Sequence, residues 1–285
     1  MYPREFEYLA PSSLDEALEA LASHPGAKVM AGGMSLLPLM KMRLLSPATV
    51  VDIGSIDGLE SIEDRGDHLA IGALVRHAAT AASPVVQQYA TALAQAAALT
   101  GDVQVRNRGT TCGALAHADL AADQTAAALA LGATLVAKST SGTREIPASK
   151  FFVDTLTSAL TPEEILVEVR IPKSGDAESS AYTKLGRRGG ESDYAVAGAA
   201  AWVRKSNGSV DAARVALTGV GTVAVVAGGV GDALIGSDGS SAAIEAAAAH
   251  ATDGVTVLED LYGSVAYKSH LAQVYVKRAL TAALA

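Results

Sequence analysis

Residues 27–46, AKVMAGGMSLLPLMKMRLLS, constrain the fold of this chain more than any other segment. Lys28-Val29-Met30 reads as the end of a short buried strand. Ala31-Gly32-Gly33-Met34-Ser35 then supplies two adjacent residues that accept φ > 0 and let backbone approach a ligand closely. Residues 36–45 follow as an apolar helix, with Pro38 in the first turn, where a missing N–H does no harm. Strand, glycine turn and helix start together leave several unpaired N–H groups at the positive end of a helix, which suits a phosphate or pyrophosphate. A Gly-Gly pair serves equally well as a plain change of direction, so a second such feature is needed before a ligand is read from it.

Composition permits a large core and narrows the partners. Of 285 residues 49% are apolar, enough for two or three lobes, while aromatic residues reach only 4%. So few rings leave little surface for stacking single-stranded nucleic acid. The formal charge of −8 comes without a Lys/Arg tract, which argues against nucleic acid or an anionic membrane as partner. The N-terminal MYPREFEYLAPSS lacks the apolar core of a signal peptide, and no run is long enough to cross a bilayer, so a cytoplasmic protein is expected. The single cysteine, Cys112, rules out a disulfide framework, an iron–sulfur cluster and a thiolate zinc site in this chain. Its six histidines include no His-x-x-x-His pair, so no metal site is expected either.

Read in order, Ser12-Ser13 opens an amphipathic helix carrying Leu14, Ala17, Leu18 and Leu21, with Ser13 and Glu16 as a capping box. The strand–Gly-Gly–helix unit follows, and Thr49-Val50-Val51-Asp52-Ile53 is a β-branched strand. Residues 1–55 thus form a small α/β lobe. Two short strands flank the turn at residues 63–67, one helix is predicted from Pro84 to Leu99, and residues 100–111 read as a polar stretch. A helix at 120–131 is closed by Gly132, a hairpin spans 133–147, and a strand covers 164–171. Residues 173–180 read as a linker. Strands at 195–204 and 213–220, then helices at 241–250 and 268–284, complete a C-terminal α+β region.

The second feature lies at residues 106–123, RNRGTTCGALAHADLAAD. Gly109-Thr110-Thr111-Cys112-Gly113-Ala114 is again a turn of small and hydroxylated residues leading into a helix. Two such turns can converge on the two phosphates of one dinucleotide. Neither is a P-loop or a G-x-G-x-x-G fingerprint, which disfavours ATP hydrolysis and the usual nicotinamide fold.

Together the two motifs resemble the FAD-binding motifs, Ala-Gly-Gly-x-Ser and Thr-x-Gly-Gly-Asn/Ser, of the medium subunits of molybdenum hydroxylases. That family includes aerobic carbon monoxide dehydrogenase, xanthine dehydrogenase and bacterial dehydrogenases of nicotine and other heterocycles. The resemblance extends to Phe6-Glu7-Tyr8, Ile71-Gly72-Ala73, the Lys184-Leu185-Gly186-Arg187-Arg188 segment and Asp193-Tyr194-Ala195. It implies an α+β fold: a two-lobed FAD-binding domain (residues 1–55 and 56–174) followed by a C-terminal domain of strands then helices (175–285). It assigns the FAD pyrophosphate to Ala31, Gly32, Gly33, Met34 and Ser35, flanked by Lys28 and Leu36, and to Thr110, Thr111, Cys112, Gly113 and Ala114, with His117 on the following helix. Asp123 falls where the family has an acid near ribityl or ribose hydroxyls, Lys184 is expected beside the flavin ring, and Tyr194 over one of its faces.

This chain departs from the family pattern at Cys112, where the first glycine is expected, and at Ala114, in place of Asn or Ser. A Cβ at residue 112 requires φ < 0 there, or room left by the ligand. The thiol reads as a small buried residue, with a helix-start nucleophile or a covalent flavin tether as the sharper readings.

By the same resemblance the chain is the exit station of a larger enzyme. FAD would be its own cofactor, while [2Fe-2S] clusters and a molybdenum-pterin cofactor sit on a small iron–sulfur and a large molybdenum subunit, in a dimer of heterotrimers. A carbon monoxide dehydrogenase-like complex in the cytoplasm is expected, with partners able to bring it to the inner face of the membrane. The same role in a heterocycle, aldehyde or purine hydroxylase is the alternative. A stand-alone FAD oxidase and a decayed nucleotide-binding protein are the rivals.

Overall fold

The computed structural model describes residues 2–188 and 193–285. Its first lobe is a parallel three-stranded sheet, with Thr49–Asp52 between Glu7–Leu9 and Lys28–Met30. The central strand is buried because it carries the β-branched run, and the helix Leu14–Ser23 lays Ala17, Leu18 and Leu21 on the same cluster as Val51 and Ile53. Ser13 caps that helix as expected, accepting from the Glu16 N–H. Glu16 itself reaches back to the N–H and hydroxyl of Ser12, one residue earlier than a Ser13–Glu16 box requires.

The second lobe is an antiparallel sheet in the order Ile62–Asp64, His68–Gly72, Ile165–Pro172, Thr134–Ser139, Gly142–Pro147. Alanine-rich helices cover it, among them Thr91–Leu99 and Asp123–Leu131, whose buried residues form one core with Leu69, Ile71, Leu135 and Val169. Every residue of Asp123–Leu131 is buried, because the helix is also covered by the third sheet.

That third sheet runs Glu178–Gly186, Ala195–Ser206, Ser209–Thr218, Val225–Val226. The side of Ala195–Ser206 bearing Ala197, Ala199, Ala201 and Val203 shares a core with the helices Gly228–Leu234, Ser241–Ala248 and Val265–Leu284. Tyr182, Ala200 and Ala216 belong instead to the core of the second lobe. A sheet covered on both faces explains the near-continuous small apolar run Ala195–Val203. It also clamps the Asp123 end of the central helix between two lobes.

Several elements depart from the sequence reading. The helix expected over residues 36–45 stops at Lys41, and Arg43 takes φ 60°, folding Leu44 and Leu45 back so that both N–H groups reach the Leu39 carbonyl. The helix expected from Pro84 to Leu99 breaks at Ala90 (φ −146°, ψ 50°), and the N–H of Ala92 turns to the Ser180 hydroxyl. Short helices at His77–Ala82, Val103–Arg108 and Gly228–Leu234 were not anticipated. The third sheet begins inside the expected linker, where Glu178, Ser179 and Ser180 pair with Arg204, Val203 and Trp202. No helix among the described residues is long and apolar enough to cross a membrane.

Candidate functional site

The two glycine turns meet. Gly33 takes φ 73° and sends the chain from the strand Lys28–Met30 into the helix Leu36–Lys41. Gly32 lies flat against the second motif, where a Cβ would stand 2.8 Å from the Gly109 α-carbon and collide with the Arg108 carbonyl oxygen. Only glycine permits that approach. The Arg108 carbonyl is in turn held by the Arg76 guanidinium, and Gly109 O accepts from the His77 N–H at 3.0 Å. In the first turn the N–H groups of Gly33, Met34, Ser35 and Leu36 have no partner among the described residues. The second turn is less generous. Thr110 Oγ1 caps its own helix by accepting from the Gly113 N–H at 3.1 Å, Ala114 N–H donates to Thr110 O, and Thr111 N–H donates to Val75 O, leaving Thr110 and Cys112 as donors without a partner among the described residues.

Both turns open onto one cleft of about 910 Å³, a size ordinary for a cofactor site. Apolar walls come from Leu39, Leu44, Leu45, Leu156, Leu160 and Ile165, and polar ones from Thr100, Asp102, Asp119 and Arg188. Lys28, Ala31, Gly32, Gly33, Met34, Ser35, Leu36, Thr110, Cys112, Gly113, Ala114, His117, Asp123 and Tyr194 all line it.

Two of the expected site residues do not. Thr111 is fully buried, its hydroxyl 2.7 Å from that of Thr80 and its N–H spent on Val75, so it braces the turn from behind. Lys184 was expected beside the flavin ring, but its ammonium is closed in. Its N–H groups go to Leu99 O (2.9 Å), Asp123 Oδ2 (2.8 Å) and Asp193 O, which uses all of them. Its ammonium therefore lies behind Asp123 and Asp193, both of which line the cleft.

Asp123 is not a solvated helix carboxylate. It is 3% exposed and accepts from Tyr182 Oη at 2.5 Å and Thr100 Oγ1 at 3.3 Å as well as from Lys184. Burial pushes its carboxyl up to about 6, against the opposing pull of Lys184 and the hydroxyl donors.

Cys112 sits in the helix Thr111–His117 with negative φ, so its Cβ is accommodated without strain. Its Sγ donates to Ile71 O at 3.4 Å, and burial, then Glu168, pushes the thiol far above its ordinary range. A thiol held protonated this way is a packing residue, not a nucleophile. Burial likewise lowers His117, which stays neutral near pH 7. Tyr194 is 42% exposed at the cleft, and the Arg187 guanidinium lies 5.0 Å from its ring centre and 4.4 Å from that of Tyr262. Burial and then Asp119 raise its phenol while the Ser35 hydroxyl opposes, and Tyr194 and Ser35 line the same cleft.

Sequence reasoning missed a polar pair in the cleft wall. His77 and Gln124 are both buried and both line the cleft. Gln124 Nε2 donates to His77 Nδ1 (3.1 Å) and Thr100 Oγ1 (2.6 Å). Burial, then Arg106, pulls His77 down to about 4, so it is neutral at physiological pH. Neither residue lies in a motif, and only the tertiary fold brings them together.

The glycine cradle at Gly32, the unpaired donors of both turns and the size of the cleft fit the pyrophosphate and body of a dinucleotide. Residues 4–174 match the family described as FAD binding domain in molybdopterin dehydrogenase, and residues 180–283 match the CO dehydrogenase flavoprotein C-terminal domain. The chain is 40% identical to the carbon monoxide dehydrogenase medium chain of Hydrogenophaga pseudoflava, over 100% of this chain and 99% of that one. It is 38% identical to the 6-hydroxypseudooxynicotine dehydrogenase complex subunit alpha of Paenarthrobacter nicotinovorans, over 100% and 96%. Its fold superposes with a TM-score of 0.95, at 41% identity and covering 100% and 99% of the two chains, on a chain of carbon monoxide dehydrogenase from Hydrogenophaga pseudoflava lacking the Mo-pyranopterin moiety of the molybdenum cofactor.

Proposed function

The chain belongs to the molybdopterin dehydrogenase FAD-binding family, and we propose that it is the electron-exit subunit of a multi-subunit molybdenum hydroxylase. The observation that carries this reading is the contact of Gly32 with the Arg108–Gly109 backbone, which joins two distant turns into one anion cradle above a single cleft. FAD bound there would supply the redox chemistry, accepting electrons from [2Fe-2S] centres and passing them to an external acceptor.

The protein's part is binding and orientation. The free N–H groups at Gly33–Leu36, Thr110 and Cys112 would hold the pyrophosphate, Asp123 would take hydroxyls of the sugar chain, and Tyr194 would cover a face of the ring system. Lys184 holds Asp123 in place and keeps a positive charge behind it, a positioning role that replaces the direct flavin contact expected from sequence. The single cysteine leaves no ligand set for an iron–sulfur cluster in this chain, so the clusters would sit on a small partner subunit, and the family membership points to a large subunit for the molybdenum-pterin cofactor. We place the assembly, a dimer of heterotrimers, in the cytoplasm.

Carbon monoxide is the first substrate to test for the complex, because a carbon monoxide dehydrogenase subunit matches at 40% identity over full length. An N-heterocycle or related nicotine-pathway substrate is the second reading, favoured by the 38% match to a subunit of the 6-hydroxypseudooxynicotine dehydrogenase complex. The test is affinity purification of the tagged chain from its native host, followed by anaerobic addition of each reductant. Co-purification of cluster-bearing and molybdenum-bearing chains, with flavin bleaching by carbon monoxide, is the expected result. Bleaching by a heterocycle alone selects the second reading. Bleaching of the isolated chain by an organic substrate contradicts the subunit role.

A further inference from the structure

We propose that His77 is a further cofactor-contact residue, whose Nε2–H donates to a pyrophosphate oxygen of the dinucleotide held between the two turns, and that Gln124 is the positioning residue that keeps the proton on that nitrogen. The proposal rests on the FAD reading of the cleft.

His77 is tied to the second turn twice over. Its backbone N–H donates to Gly109 O, and its imidazole lies along the Gly109 α-carbon, where an added Cβ would stand 2.9 Å from Cδ2 and 3.0 Å from Nε2. Gly109 is also the residue on which Gly32 packs. The free ring nitrogen of His77 therefore lies against Gly109 in the second turn, and His77 lines the same cleft as Thr110, whose N–H has no partner among the described residues. Donors gathered along one wall of a cleft suit an anion.

The protonation state follows from the neighbours. Gln124 Nε2 donates to Nδ1, so the neutral ring carries its hydrogen on Nε2 and presents a donor to the cleft. Gln124 is held in that orientation by Thr100 Oγ1, which accepts from the same amide nitrogen. The arrangement leaves Gln124 Oε1 buried without a hydrogen-bond partner. An orphaned acceptor is costly, and the opposite orientation of the amide would turn Nε2 into a bare lone pair aimed at a phosphate. A neutral donor also suits a wall where Arg106 already bears on the imidazole and Arg76 and Arg108 flank the turn.

The test is binding to the natively purified complex after removal of its flavin, with FAD, ADP and riboflavin as separate probes. ADP carries the pyrophosphate without the flavin, and riboflavin the reverse. His77→Phe is expected to weaken FAD and ADP alike, by about tenfold or more for a lost bond to a charged group, and to leave riboflavin unchanged. His77→Gln keeps a neutral N–H donor and should recover most of the loss. Gln124→Leu should weaken FAD in the wild-type background but add nothing to His77→Phe, which a merely structural role would not produce. If the phenyl ring does not fold beside Gly109, His77→Leu takes its place. Unchanged FAD affinity, equal loss of riboflavin, or no rescue by His77→Gln overturns the proposal. Failure of the stripped wild-type complex to take up FAD overturns the FAD reading itself, which is seen before any variant is compared.

Discussion

Gly32 and Gly109 touch so closely that a Cβ on Gly32 would lie 2.8 Å from the Gly109 α-carbon. This contact makes one cradle of two turns far apart in the chain. Gly32→Ala must push the turns apart, and about 1–3 kcal/mol of overpacking strain is expected. Bound FAD per chain should fall at least tenfold, read from absorbance and protein concentration. Gly175→Ala, with no atom within 4 Å of the added methyl, should match wild type.

Lys184 and Asp123 form a buried ion pair, with side chains 0% and 4% exposed. Removing one partner leaves an uncompensated charge, so Lys184→Met should cost about 3–5 kcal/mol in chemical denaturation. The double variant with Asp123→Asn should recover part of that loss. A double variant as unstable as Lys184→Met alone would show that the carboxylate is not the source of the penalty.

His77 and Asp123 make opposite contributions to the pH dependence of stability. The imidazole falls from its ordinary 6.5 to about 4, so its contribution is present above 6.5 and is lost as pH falls toward 4. The carboxyl rises from 3.8 to about 6, so its contribution is present below 3.8 and is lost as pH rises through 6. Across this window the two oppose each other. His77→Gln removes the first and leaves the second. Relative to wild type the variant should gain stability as pH drops from 7 to 4, by up to about 3 kcal/mol, measured as unfolding free energy at each pH.

Cys112 should behave as packing. Iodoacetamide should not label the folded protein within hours and should label it at once in denaturant. Cys112→Ala should keep FAD affinity within about twofold, and so should Cys112→Gly, which restores the family's glycine. Flavin that stays on the polypeptide after acid precipitation would reverse this view of the thiol.

Much of the scaffold was legible because its signals are local. The β-branched run at Thr49–Asp52, the hairpin Thr134–Pro147 and the αL cap at Gly132 each carry their geometry in a few residues. The alanine-rich segments were harder, since a run of small residues has no apolar stripe to mark where a helix starts or stops. That is why the break at Ala90 and the helix His77–Ala82 went unseen. In the cleft, the glycines and hydroxyls of the two turns were readable as motifs. The closure of Lys184 behind Asp123, the retreat of Thr111 and the His77–Gln124 pair depend on contacts between residues tens of positions apart. Local spacing holds no trace of them.

The most direct test of the central claim is the visible spectrum of the natively purified protein, recorded before and after acid precipitation. A flavin spectrum whose chromophore passes to the supernatant and proves to be FAD, at about one per chain and beside the broader absorbance of iron–sulfur partners, is the predicted result. A colourless complex that also fails to take up added FAD would contradict it.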